Sequence, residues 1–179
     1  MFLLQRLDNT RKKLKGQIAN VLTLLNLTLG AFAILYTIQS ELTLALLFIA
    51  IAAVFDRLDG AVARKFNATS DIGKQLDSLS DIISFGVAPA LLIHEAVLVE
   101  FGFAGAFFAI VFIICGAIRL AKFNVSESTC YFVGVPITLA GCILTFTSLF
   151  VGFLPEFLFM FICLFLALSM ISPLKIKKM

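Results

Sequence analysis

Four aspartates, Asp56, Asp59, Asp77 and Asp81, stand in a stretch of chain whose surroundings are apolar enough to cross a bilayer. A carboxylate at membrane depth is costly and persists where it faces a partner charge, a bound ion or a cavity. Any fold of this chain must therefore turn the acids inward. With 61% hydrophobic and 14% charged residues over 179 positions, a soluble globular domain is excluded. Apolar runs of spanning length lie at Ile18 to Ile38, Leu42 to Arg64, Ile72 to Ile93, Phe103 to Phe123, Phe132 to Gly152 and Pro155 to Ser172. The expected fold is all-α: a polytopic membrane protein forming a single domain over 1–179, with six transmembrane helices in 18–172. A basic, amphipathic interfacial segment at 1–17 precedes them, and it lacks the cleavage site of a signal peptide.

The depth of the acids follows from length. The uncharged run Leu42 to Phe55 covers only about 21 Å at roughly 1.5 Å per residue, short of a crossing. The second helix must continue through Asp56 and Asp59, and the third must start before Asp77 and Asp81 for the same reason. Each pair has helical spacing, i, i+3 for the first and i, i+4 for the second, so each projects from one face. An antiparallel arrangement brings the two faces together. Clustered carboxylates need positive charge between them. Hard oxygen donors without His or Cys favour two divalent cations, Mg²⁺ or Mn²⁺, over zinc. A pair of such ions is a known clamp for phosphoryl transfer.

Charge fixes the expected orientation. The 14 Lys and Arg residues fall before the first run, at the second-to-third and fourth-to-fifth junctions, or after the sixth. The opposite turns carry Glu41, Glu95, Glu100, Glu156 and His94. The positive-inside rule then places both termini and the aspartate-bearing junction on the cytoplasmic side of the cell membrane. The +3 net charge calls for no nucleic-acid partner. Cys115, Cys130, Cys142 and Cys163 have no metal-ligand spacing and read as packing residues.

The segment from Asp56 to Asp81 has the pattern D-x2-D-G-x2-A-R-x8-G-x3-D-x3-D, filled by Asp56, Asp59, Gly60, Ala63, Arg64, Gly73, Asp77 and Asp81. It resembles the signature of the CDP-alcohol phosphatidyltransferases, six-helix membrane enzymes that move a phosphatidyl group from a CDP-linked lipid to an alcohol and release CMP. The resemblance implies that Asp56, Asp59 and Asp77 hold two divalent ions on the diphosphate. Asp81 would complete the second ion's shell and accept the proton of the acceptor hydroxyl as the catalytic base. It also implies contacts to CDP-diacylglycerol from Gly60, Arg64, Ser70 and Gly73, and from Asn20 and Thr23, which resemble the family's N-x-x-T pattern with Ala19 where a proline often stands. A homodimer is implied as well.

The segments LDSLSDIISFGVAPA, IRLAKFNV and YFVGVPITLAG resemble the phosphatidylserine synthase branch of that family, although GVPIT departs from its usual GxPSP-like text. L-serine is the acceptor this implies, with glycerol 3-phosphate or inositol phosphate as alternatives. Arg119 and Lys122 are candidates for the serine carboxylate, or equally charges that set topology. Ser84 and Asn124 are further candidates to face the same cavity. A small cation or proton transporter is the rival class. It is disfavoured because the acids cluster toward one side while Leu42 to Val54 and Ile83 to Ile93 are nearly all apolar.

Overall fold

The computed structural model describes residues 2–66, 71–125, 131–172 and 175–177, with side chains placed over 17, 20–62, 72–125 and 134–172. Helices α1 (Phe2–Ile38) and α2 (Leu42–Phe66) form an antiparallel hairpin. Buried residues fall at Thr23, Asn26, Gly30, Ala33 and Thr37 on α1, and at Ala45, Ile49, Ala52 and Asp59 on α2, with Asp56 half-buried between the last two. Steps of three and four residues keep each set on one helical face. Ala33, Ala45 and Ile49 join Ala88 and Leu92 in one buried cluster, and Tyr36 stacks on Phe48 with ring centroids 5.2 Å apart. Small residues dominate the seam because lipid gives helices no hydrophobic reason to associate, so close backbone approach must do it. Asp56 and Asp59 extend the apolar stripe of α2, and for that reason they point into the bundle.

The central rod is made of α3 (Asp71–Asp81), a π-helical segment (Ile82–Val87) and α4 (Ala88–Ala96). Pro89 sits in the first turn of α4. It has no N–H to offer the Phe85 carbonyl four residues back, and in an unbroken α-helix its ring would strike that carbonyl. The wider π turn relieves the clash. The Phe85 backbone then lies against Gly141, where any Cβ would collide with the Phe85 carbonyl oxygen and Cα. Gly141 belongs to α6 (Ile137–Thr147), which follows α5 (Phe103–Val125) and precedes α7 (Glu156–Ile171). These helices close a core containing Phe85, Phe112, Ile137, Leu144, Phe159 and Met170. Their outer faces expose Phe107, Ile110, Ile114, Phe157, Phe161 and Phe165, apolar stripes that suit lipid.

Asn20–Ile38, Ile72–Ala96 and Phe103–Val125 are long and apolar enough to cross a membrane, and Ile137–Phe150 and Glu156–Ile171 are shorter apolar helices. The chain is a polytopic, all-α membrane protein. The segment expected ahead of the first span is continuous with it in one helix, since α1 runs unbroken from Phe2 for roughly 55 Å at 1.5 Å per residue. That exceeds a hydrocarbon core of about 30 Å, so one end of α1 extends past it. The fifth apolar run, expected to be helical from Phe132, starts as a strand: β1 (Tyr131–Val133) pairs antiparallel with β2 (Lys175–Lys177). Gly134 then turns with φ 77°, and the helix begins at Ile137 behind Pro136. Proline fixes its own φ and disfavours helix in the residue before it, a constraint that hydropathy does not register.

The contact between Gly141 and the Phe85 backbone has no flexible side chain that could yield. Gly141→Ala is expected to lower the midpoint of thermal unfolding in detergent by roughly 3 to 9 °C. Gly102→Ala, where a Cβ meets nothing within 4 Å, is expected to shift it less despite its positive φ.

Candidate active site

Helix α1 acts as a backing plate for the acids. Asp59, 4% exposed, accepts a hydrogen bond from Thr23 Oγ1 at 3.0 Å. The Thr23 carbonyl in turn accepts from Ser80 Oγ at 3.2 Å, and the Asn26 carbonyl accepts from Ser84 Oγ at 3.1 Å. One turn further along α1, Gly30 meets Ser84 so closely that a Cβ would strike both its hydroxyl and its Cα. These contacts lock α1 to α3 and the π segment. They also fix the level at which Asp77 and Asp81 face Asp56 and Asp59.

Asp56, Asp59 and Asp77 each present one carboxylate oxygen, and the three oxygens lie within 4.8 Å of one another. Asp81 approaches Asp56 to hydrogen-bonding reach, and its Oδ1 is buried without a hydrogen-bond partner. At an effective dielectric constant near 20, two carboxylates at such a separation repel by about 3 kcal/mol. The hydrogen bond from Thr23 to Asp59 offsets only part of this. The donor set is all hard oxygen, it converges, and one of its oxygens is orphaned, so these residues fit divalent cations.

The remaining predicted residues distribute around this cluster. Asn20 lies one turn before Thr23 and is half-buried, as are Gly60, next to Asp59, and Gly73, one turn before Asp77. Ser70 lies outside the described residues. Arg64 falls within α2, but its side chain is outside the described set. Arg119 is half-buried on α5, has Asp81 as its acidic neighbour, and holds its Nε buried without a hydrogen-bond partner. Lys122 is exposed near the same helix end. Ser84 is turned to the Asn26 carbonyl, and Asn124 donates Nδ2 to Ser78 Oγ at 3.0 Å, tying α5 to α3.

Sequence reasoning passed over Asn26 and Ser80. The signal for Asn26 was its place in the buried stripe Thr23, Asn26, Gly30, Ala33, Thr37. Ser80 had no comparable signal, since its role depends on which α1 carbonyl it meets.

The family profile described as CDP-alcohol phosphatidyltransferase matches residues 16–171. CDP-diacylglycerol--serine O-phosphatidyltransferase of Bacillus subtilis (strain 168) is 40% identical over 129 residues, covering 72% of this chain and 73% of that protein. Archaetidylserine synthase of Methanothermobacter thermautotrophicus is 38% identical over 170 residues, covering 92% of this chain and 72% of its own. The Helicobacter pylori (strain ATCC 700392 / 26695) CDP-diacylglycerol--serine O-phosphatidyltransferase is 40% identical over 125 residues, 68% of this chain and 53% of that one. The profile takes in the acidic cluster, the helix that backs it and the bundle that encloses both, and the chain belongs to the CDP-alcohol phosphatidyltransferase family.

Proposed function

We propose that this chain transfers the phosphatidyl group of CDP-diacylglycerol to the hydroxyl of L-serine, giving phosphatidylserine and CMP. The observation that carries this reading is the convergence of Asp56, Asp59 and Asp77 oxygens within 4.8 Å, with Asp81 beside them, in a membrane protein of this family. The names of its relatives from Bacillus subtilis and Helicobacter pylori point to serine as the acceptor.

In the proposed reaction the serine oxygen forms a bond to the β-phosphorus, the bond from that phosphorus to the bridging oxygen breaks, and CMP leaves with that oxygen. Asp81 takes the hydroxyl proton. Asp56, Asp59, Asp77 and Asp81 would hold two divalent cations, Mg²⁺ or Mn²⁺. Bound there, these ions supply charge neutralisation for the diphosphate and for departing CMP. Thr23 keeps Asp59 oriented through its hydroxyl and, with Asn20, Gly60, Arg64, Ser70 and Gly73, belongs to the nucleotide side. Arg119 is assigned to the serine carboxylate, with Lys122 at the mouth. The enzyme's own contribution is mainly position and charge.

We further propose a six-span arrangement with both termini and the acids on the cytoplasmic side, which would admit serine and release CMP into water. A homodimer completes the reading. The bare lipid-facing surfaces of the helices leave room for the diacylglycerol to stay in the bilayer.

The direct test is CMP release from CDP-diacylglycerol by purified protein, with and without Mn²⁺, in the presence of serine, glycerol 3-phosphate or inositol phosphate. Release that requires both serine and the metal is expected. Release driven by either other acceptor would reject the serine assignment. Asparagine at position 56, 59 or 77 is expected to lower turnover by about 10²-fold or more, and Asp81→Asn by at least as much. Arg119→Ala is expected to raise the serine KM about tenfold or more with a much smaller change in that for the lipid. Equal changes in the two constants would remove Arg119 from the acceptor site.

A further inference from the structure

Among the described residues, the buried side-chain nitrogen and oxygen atoms without a hydrogen-bond partner are both amide atoms of Asn26, Asp81 Oδ1 and Arg119 Nε. Two of these residues already belong to the proposed reaction. Asn26 does not, and it is the most enclosed of the three, at 0% exposed. A buried amide with neither atom satisfied is costly, and an apolar residue of the same shape would avoid that cost.

The three residues are connected through the central rod. Ser84 Oγ donates to the Asn26 carbonyl, which sets the Asn26 turn of α1 against the turn of the rod that starts at Asp81. Arg119, on α5, lies within electrostatic range of Asp81. The unsatisfied amide thus belongs to the α1 turn docked on Ser84, three residues along the rod from Asp81, the group assigned to take the acceptor's proton.

We propose that Asn26 is a specificity-determining contact for the amino-acid acceptor, its Oδ1 accepting from the acceptor's ammonium group and its Nδ2 donating to the carboxylate beside Arg119. The proposal rests on the transfer to serine put forward above. A zwitterion needs acceptors for its N–H groups and donors for its carboxylate, and one amide offers both. An amide also brings no charge of its own. A carboxylate in its place would add a fifth negative charge to the acid cluster, and a lysine would compete with the substrate's ammonium. A site built of polar groups that only the substrate satisfies discriminates strongly against analogues lacking the matching group.

The test compares wild type, Asn26→Leu and Asn26→Ser, using serine and CDP-diacylglycerol kinetics together with thermal unfolding in detergent. Asn26→Leu is expected to raise the serine KM about tenfold or more while the CDP-diacylglycerol KM moves far less. Its unfolding midpoint should stay level or rise, because the replaced amide had no partner to lose. The preference for serine over 3-hydroxypropanoate, the same molecule without its amino group, should shrink in both variants. Unchanged serine kinetics in both variants would overturn the proposal. So would a fall in unfolding midpoint accompanied by equal losses for both substrates, which is the pattern of a structural residue. Wild-type protein that gave no CMP release with serine would overturn the transfer itself, and this proposal with it.

Discussion

Carboxylate oxygens held within 4.8 Å of one another, in a bundle whose core is otherwise largely apolar, push apart, and much of the structure works against that push. The acids cannot simply swing out to solvent. Asp56 and Asp59 occupy the inward stripe of α2, in register with Ala45, Ile49 and Ala52, so moving them outward would rotate the whole helix, break its seam with α1 and turn carboxylates toward lipid. Asp59 is further tied by Thr23, a charge-assisted bond worth about 1.5–3 kcal/mol. The same residue's backbone carbonyl is tied to Ser80. One turn of α1 therefore holds both sides of the cluster, and the separation between the acidic faces of α2 and α3 is set by a third helix.

The π segment has a related purpose. A normal helical turn at Ile82 to Val87 would give α1, α5 and α6 one narrow face each, whereas the wider turn leaves Ser84, Phe85 and Gly86 all buried. Ser84 meets α1, the Phe85 backbone meets Gly141 on α6, and a Cβ on Gly86 would meet Ile82 and Ile137. π turns are rare and recur beside functional sites. Here the turn starts immediately after Asp81, so the last acid of the set is carried on a segment gripped from several sides. Pro89 supplies the local cause and Gly141 the tertiary fit. Neither would suffice alone, since the proline could instead have kinked the rod away from α6.

Much of this could be read from the sequence. The four aspartates, their spacing and the need for both helices to continue through them followed from arithmetic on chain length, and the structure places three of the acids together as that arithmetic requires. The N-x-x-T pair on α1 was visible, but its use was not: Thr23 turns out to hold Asp59. The start of the fifth helix was misjudged because Phe132 and Val133 are apolar, and hydropathy records what a residue would do in lipid without recording that Gly134 and Pro136 forbid the backbone to be helical there. Asn26 was overlooked for a comparable reason. A single amide in an apolar run is costly facing lipid and useful facing inward, and only the buried stripe that contains it distinguishes the two.

The arrangement also separates two tasks that the chemistry requires to be close. The three converging metal-fitting acids come from α2 and α3, both packed on α1, and their positions depend on those contacts. The groups assigned to the acceptor come from elsewhere: Arg119 from α5, and Asn26 from the α1 turn beyond Thr23. Asp81 links the two sets, within hydrogen-bonding reach of Asp56 and within electrostatic range of Arg119. On the proposed assignments, the acceptor contacts could change on α5 and one turn of α1 while the acids of α2 and α3 keep their positions, so a motif confined to residues 56–81 would carry the phosphoryl chemistry and leave the alcohol open.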